Sequence, residues 1–201
     1  MNTAHLAIIK PADSNDDSPD GEIIAQSRSE PELFALLFQR HATGICRYAA
    51  RRLGPGPAED VVAETFLIAF RQRDRYDPAR HDARPWLYGI AGNLIRRYHR
   101  DEVRQLRALA RTGIDPIAES FTDRADARVA AGATSRAVVA AIAELDADQR
   151  DVLLLITWAE LTYDQAAEAL GIPEGTVRSR MNRARTRLRA ALGGIDPTSI
   201  A

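Results

Sequence analysis

The residues best suited to chemistry lie near the C-terminal end, in Gly175–Leu192, "GTVRSRMNRARTRLRAAL". Six arginines (Arg178, Arg180, Arg183, Arg185, Arg187, Arg189) fall within little more than three helical turns. At 100° per residue, Val177, Met181, Ala184, Leu188 and Leu192 form one apolar stripe. Ser179, Asn182 and Thr186 lie opposite it, with Arg183 beside them. Arg178, Arg185 and Arg189 line one flank, and Arg180 and Arg187 the other. Short hydrogen-bonding side chains at the centre with guanidinium groups on both sides suit a helix in a DNA major groove. The centre reads base edges and the flanks hold phosphates. Thr176, Arg178, Ser179, Asn182, Arg183, Thr186 and Arg187 are the candidate contacts.

A solvated cationic helix would show the same charge, so the elements that position the stretch decide between the two. Just ahead of it, Thr162 and Gln165 have capping-box spacing, with Leu161 as the hydrophobic staple, for a short helix "YDQAAEAL". Gly171 ends that helix, and "IP" turns the chain into the arginine helix. Helix, glycine turn and second helix make a helix-turn-helix. Upstream, a helix over about Ser135–Leu145 precedes "ADQRDVLLLITWAEL", for which Asp146 and Gln149 form a further expected capping box.

The N-terminal half also reads as helix. Ser29 and Glu32 have capping-box spacing, with Pro31 tolerated in the first turn. The helix that follows is expected to bury Leu33, Leu37, Phe38, Ile45 and Ala49 and to stop at Gly54–Pro57. A second runs from about Ala58 to Asp74 with Val62, Phe66, Ala69 and Phe70 on one face. After the loop "RYDPARHDARP", a third opens near Trp86 and continues unbroken through "LYGIAGNLIRRYHRDEVRQLRALAR". The expected fold is all-α: two small helical domains joined by a flexible linker, the C-terminal one a helix-turn-helix. Residues 1–28 are expected as a disordered acidic leader, 29–111 as the first domain, 112–132 as the linker, 133–193 as the second domain and 194–201 as a tail.

Composition narrows the function. The formal net charge is −1, yet residues 33–111 carry fifteen arginines against eight acids. The leader is acidic, and the second domain is balanced with nearly all its positive charge in the last helix. A free-standing DNA binder gains affinity from net positive charge, so a neutral chain is expected to bind DNA weakly alone and to rely on a partner. No apolar run approaches a membrane span, and the N-terminus has no signal-peptide pattern. Cys46, the single cysteine, precludes an internal disulfide and is expected as a buried thiol in a reducing cytoplasm. The four histidines lack metal-ligand spacing, so neither metal nor cofactor is expected. Asp77, His81 and Asp82 offer an acid–base cluster without a nucleophile, and "GPGPAE" has no strand before it, so an enzyme is not expected.

Four segments, "AEDVVAETFLIAF" (58–70), "RPWLYGIAGNLIRRYHR" (84–100), "LDADQRDVLLL" (145–155) and "GIPEGTVRSRMNRARTRLR" (171–189), resemble in order and spacing the extracytoplasmic-function sigma factors of bacteria. The resemblance spans roughly residues 30–192. It implies that the first domain recognises and melts the −10 promoter element and that the second reads the −35 element. Catalysis would belong to core RNA polymerase. It also implies that Asp60 and Glu64 meet the clamp helices of the polymerase's largest subunit, with Ala63 where many members carry glutamine. The loop 75–83 corresponds to the family's −10 specificity loop, which captures a flipped base. Tyr76, His81, Arg84, Trp86 and Asn93 are the candidates there, with Arg96, Arg97 and Arg100 as a basic stripe for the backbone. Partners implied are core polymerase and promoter DNA, with any anti-sigma regulator a separate chain and no membrane. The competing expectation is a helix-turn-helix repressor or activator acting as a homodimer, which would leave residues 30–111 without a role.

Overall fold

The computed structural model of the protein describes residues 18–112 and 128–192. The expected linker, apart from Thr112 and 128–132, lies outside these residues, as do most of the expected leader and the whole of the expected tail. The first domain comprises α1 (Asp20–Gln26), a 3₁₀ turn (Pro31–Leu33), α2 (Phe34–Leu53), α3 (Pro55–Gln72), α4 (Arg84–Arg97) and α5 (His99–Thr112). The second comprises α6 (Arg128–Ala143), α7 (Ala147–Thr157), α8 (Tyr163–Leu170) and α9 (Glu174–Ala191). The described residues are all-α, and none of these helices is long and apolar enough to cross a membrane.

The breaks between helices have local causes. Gly54 takes φ 89°, a conformation glycine adopts without strain, and Pro55 then occupies the first turn of α3. Gly171 closes α8 in the left-handed region at φ 63°. The Thr162–Gln165 capping box forms with both reciprocal bonds: Gln165 N donates to Thr162 Oγ1 (3.2 Å) and Thr162 N to Gln165 Oε1 (2.9 Å).

The fold departs from expectation in several places. Residues 20–26, expected within the disordered leader, form α1, whose Ile23 and Ile24 are fully buried. The Ser29–Glu32 box does not form, because Ser29 Oγ donates back to Gln26 O (3.0 Å). Nor does that of α7, because the Asp146 carboxylate pairs with Arg187 of α9 (2.9 Å) instead. The long third helix breaks at Tyr98 and restarts with Asp101 and Glu102 in its first turn, where acids complement the helix dipole. The break turns Glu102 and Leu106 into the interior. Phe38, expected in the core, is 48% exposed and packs edge-on against Phe66. Cys46 is half-buried.

The two domains pack on each other. α6 lies along α5, and α8 sits on α4 so closely that a Cβ on Gly89 would come within 2.7 Å of Ala169 O. The interface encloses a charge network. Arg52 of α2 donates to Glu102 of α5 (Nε–Oε1 2.5 Å), Asp151 of α7 (Nη2–Oδ1 2.6 Å) and the Tyr48 hydroxyl (2.6 Å). Arg150 of α7 donates to Glu102 Oε2 (3.0 Å) and to the carbonyls of Ile142, Ala143 and Leu145. The side chains of Arg52, Glu102 and Arg150 are each 2% exposed. Such groups are tolerated inside a protein only when fully paired.

Candidate nucleic-acid interface

α9 presents the face its sequence implies. Val177, Met181, Ala184 and Leu188 are buried against α7 and α8, and Ser179, Asn182, Arg183 and Thr186 are exposed. Ser179 Oγ donates to Thr176 O (3.0 Å) and Thr186 Oγ1 to Asn182 O (3.0 Å), so both hydroxyls keep acceptor capacity towards solvent. Arg178 is braced by Glu174 (2.6 Å) and lies 5.4 Å from the centre of the Tyr163 ring, which holds the guanidinium at the edge of the face. The other flank is neutralised from within the domain. Arg180 pairs with Asp148 (2.6 Å) and Arg187 with Asp146 (2.9 Å). Asp146 and Asp148 escaped sequence reasoning as partners because each looks locally like a helix-start acid.

The −10 candidates cluster around loop 76–83 and along α4, except Arg100 at the start of α5, but they are not equally accessible. Tyr76 is 6% exposed; its ring lies 4.8 Å from that of Trp86, and its hydroxyl donates to Arg80 O (3.0 Å) and Asp82 O (3.2 Å). Burial pushes the Tyr76 hydroxyl pKa up, reinforced by the nearby Glu168, Asp20 and Asp82 carboxylates, so it remains a donor that shapes the loop from beneath. His81 and Asn93 are exposed, and Trp86 is half-buried. Trp86, Asn93 and Arg96 line a cleft of about 330 Å³ roofed by Glu168–Gly171 of the second domain.

The arginines of this region are largely engaged. Arg84 donates to the carbonyls of Ala159 and Glu160 (3.3 Å to the latter), and Arg96 pairs with Asp151 (2.9 Å). Arg97 reaches Glu64 (3.3 Å) on α3, so a candidate DNA contact and a candidate polymerase contact pair with each other. Arg100 lines an open groove between α5, α6 and α9 together with Arg104, Arg107 and Arg187, bringing candidates from both domains to one channel. Asp60 is exposed and Glu64 is 45% exposed at its side chain. One turn further along α3 stands Leu67, 47% exposed, which completes a stripe at helical spacing with Asp60, Ala63 and Glu64.

Loop 76–83 is also held from the N-terminal side, by residues that sequence reasoning left in the leader. Asp20 N donates to His81 O (3.0 Å), and Asp20 Oδ2 accepts from Ala83 N (3.0 Å) and His41 Nε2 (2.8 Å). Arg40 donates to Asp20 Oδ1 (3.0 Å) and Ser18 O (2.7 Å), and Arg28 to Tyr76 O (2.8 Å). Burial pushes the Asp20 carboxyl up, but the hydrogen bonds from His41, Ala83 N–H and Arg40, together with the charge of His41, outweigh it. The group is held below its ordinary value.

Both domains match known protein families. Residues 37–105 match the family described as Sigma-70 region 2, and residues 135–188 that described as Sigma-70, region 4. The ECF RNA polymerase sigma factor SigC of Mycobacterium tuberculosis is 31% identical over 177 residues, covering 88% of this chain and 92% of the relative. Among solved structures, that of CnrH in complex with the cytosolic domain of CnrY matches with a TM-score of 0.61 and 27% identity, over 87% of this chain and 97% of the other. The sigma factor RpoE of Bartonella quintana, solved in complex with the anti-sigma factor NepR, shares the fold with a TM-score of 0.55 and 24% identity, over 80% and 96% of the two chains.

Proposed function

The chain belongs to the ECF RNA polymerase sigma factors, and from that premise we propose which surfaces perform promoter-specific initiation. α9 enters the major groove of the −35 element, with Ser179, Asn182 and Arg183 towards the bases and Thr176, Arg178, Thr186 and Arg187 positioning the helix. The single observation that supports this best is the exposed polar face of α9, backed by a buried apolar stripe and braced at Arg178. Loop 76–83, α4 and the start of α5 engage the −10 element, with His81, Trp86 and Asn93 around the captured base and Arg84, Arg96, Arg97 and Arg100 on the backbone. Tyr76 supports that site from below.

Core polymerase binds along α3, through the acids Asp60 and Glu64 with Leu67 as an apolar anchor between them and the helix end. The chain supplies no catalysis of its own: phosphodiester synthesis is the polymerase's chemistry, and the work is done in the cytoplasm, where the polymerase is. A separate anti-sigma chain is a further partner, as RpoE has in NepR. A dimeric repressor would have no use for the whole first domain.

The proposed contacts require the two domains to part. The −10 and −35 elements are centred about 25 base pairs apart, or about 85 Å of duplex. In this structure α8 rests on α4, the carbonyls of Ala159 and Glu160 hold Arg84, and Asp151 of α7 holds Arg96. The fifteen residues between the described parts can reach about 50 Å when extended. That reach, added to the breadth of the domains, bridges the gap only from an open arrangement. The experiment that tests the assignment is size-exclusion co-elution with purified core RNA polymerase in the absence of DNA. Stoichiometric co-elution is expected from the wild-type protein. Failure of the folded protein to co-elute would refute it.

A further inference from the structure

We infer that Asp20, with Gly21 behind it, is a positioning residue for −10 recognition: it sets the conformation of loop 76–83 and the start of α4 without touching DNA. The inference rests on the assignment of that loop to the −10 element.

Three features of α1 point to this role. First, the contacts of Asp20 beyond α1 are aimed at the loop and at the residues that hold it. Its backbone N–H donates to His81 O, and its Oδ2 accepts from Ala83 N. Ala83 occupies the N-cap position of α4 and has no side chain able to cap the helix. A buried carboxylate from a helix some sixty residues earlier thus supplies an acceptor at the very start of α4, where negative charge is favoured. Asp82 Oδ1 supplies a second by accepting from Arg84 N (2.8 Å). The start of the helix that carries Trp86, Asn93 and Arg96 is therefore set by Asp20 and Asp82 together.

Second, α1 lies directly on the loop's main chain. A Cβ built on Gly21 would come within 2.4 Å of Pro78 O and 2.5 Å of Arg80 O, both backbone atoms that a side chain could not displace cheaply. Glycine is needed here for close approach. Third, the carboxylate is itself locked. Arg40 and His41, successive residues of α2, hold one oxygen each, and Asp20 is only 7% exposed. A side chain so fully satisfied transmits the position of α2 to the loop. Arg28, donating to Tyr76 O, ties the other end of the loop to the same segment.

Base capture depends on this order. A flipped base is selected by a pocket whose donors and acceptors stand at fixed positions, so a loop free to sample several conformations binds many bases comparably. Loss of the brace is therefore expected to remove discrimination at −10 before it removes binding to polymerase.

The test uses the full chain with core polymerase on a promoter selected for the wild-type protein. Initiation is compared on that promoter and on single-base variants of its −10 and −35 elements. Asp20→Ala is expected to lower the −10 discrimination ratio about tenfold, within the range of one mismatched base pair, and to leave the −35 ratio and core co-elution unchanged. Asp20→Asn, which keeps an oxygen for Ala83 N–H, is expected to restore part of the ratio. His81→Ala, which leaves the His81 backbone bond intact, serves as the control on the loop itself. If His81→Ala changes −10 preference and neither Asp20 variant does, the brace is refuted. If His81→Ala also leaves −10 preference unchanged, the loop assignment fails, and the inference with it. A parallel fall in −10 discrimination, −35 discrimination and core binding would show a merely structural role and overturn the proposal. Should Asp20→Ala not fold, amide exchange in Asp20→Asn decides: faster exchange at Ala83 with α2 unchanged is expected, and unaltered protection of Ala83 beside lost −10 discrimination would refute the mechanism.

Discussion

Asp151→Asn should loosen the docking of the two domains with little effect on either domain's own core. Asp151 stands in the second turn of α7, and both its side-chain partners, Arg52 and Arg96, belong to the first domain. The two bonds differ in worth. Arg52 is 2% exposed, so losing a charged acceptor there costs about 2–3 kcal/mol, less than the full cost of orphaning a buried charge because Glu102 and Tyr48 still receive the guanidinium. Arg96 is 44% exposed, and its half of the interaction is screened to about 0.5 kcal/mol. The asparagine keeps one acceptor oxygen, which recovers part of the loss. A net change of about 2 kcal/mol multiplies the open population roughly thirtyfold. Small-angle scattering should then show a larger radius of gyration than wild type at low temperature, well before any unfolding. Binding of single-stranded −10 DNA should strengthen, because Arg84 and Arg96 are released from the second domain. An unchanged radius and unchanged DNA affinity in a variant folded like wild type would show that Asp151 does not hold the domains together.

Three shorter predictions follow from the same contacts. Arg183→Ala should weaken initiation at a selected promoter by about 1–3 kcal/mol, the worth of one base-directed arginine, with core co-elution intact; loss of co-elution would mean the domain roles are wrong. Asp60→Ala combined with Glu64→Ala should lower affinity for core polymerase about tenfold while thermal stability stays near wild type; unchanged affinity in a titration of labelled protein would dismiss the α3 contact. Asp20 has a folded-state pKa below its ordinary 3.8, so its stabilisation is present above that pH and is lost as pH falls below it. Urea midpoints between pH 3 and 7 should therefore decline on the acid side, and Asp20→Asn should flatten that limb; an identical acid limb in the variant would remove Asp20 as its source.

Much of this fold was legible because its determinants are local. The stripe Val177, Met181, Ala184, Leu188 needs only helical periodicity, and it fixed which face of α9 is open. The Thr162–Gln165 cap and the Gly171 turn are settled within ten residues of chain. What escaped depends on partners far away in sequence. α1 is short and acidic, and its order comes from Ile23 and Ile24 packing and from Asp20 reaching His41 and Ala83. Asp146 and Gln149 have a capping box's spacing, but an arginine forty residues later competes for the aspartate. The interface network did leave a trace: Arg52, Glu102 and Asp151 each lie one turn from a buried apolar residue, at Tyr48, Leu106 and Leu155. Charges on apolar stripes ask for partners, but the spacing alone does not say which ones.

The near-neutral total charge now has a structural explanation. Acids of the second domain stand against arginines of the first: Asp151 on Arg52 and Arg96, Glu168 on Arg80, Glu144 on Arg107. Within the second domain, Asp146 and Asp148 occupy one flank of α9. Two of these arginines, Arg96 and Arg187, are among those proposed to contact DNA, so the protein carries internal competitors for its own DNA contacts. Salt weakens exposed ion pairs and phosphate contacts alike. Affinity of the isolated protein for −10 DNA should consequently fall less steeply with salt than its arginine count implies, since Arg96 and Arg97 exchange ion pairs already present for their phosphate contacts. Asp151→Asn should steepen that slope by freeing Arg96 to release counterions on binding. A slope that stays the same in the variant, alongside a demonstrated opening of the domains, would mean that Arg96 does not contact the DNA backbone.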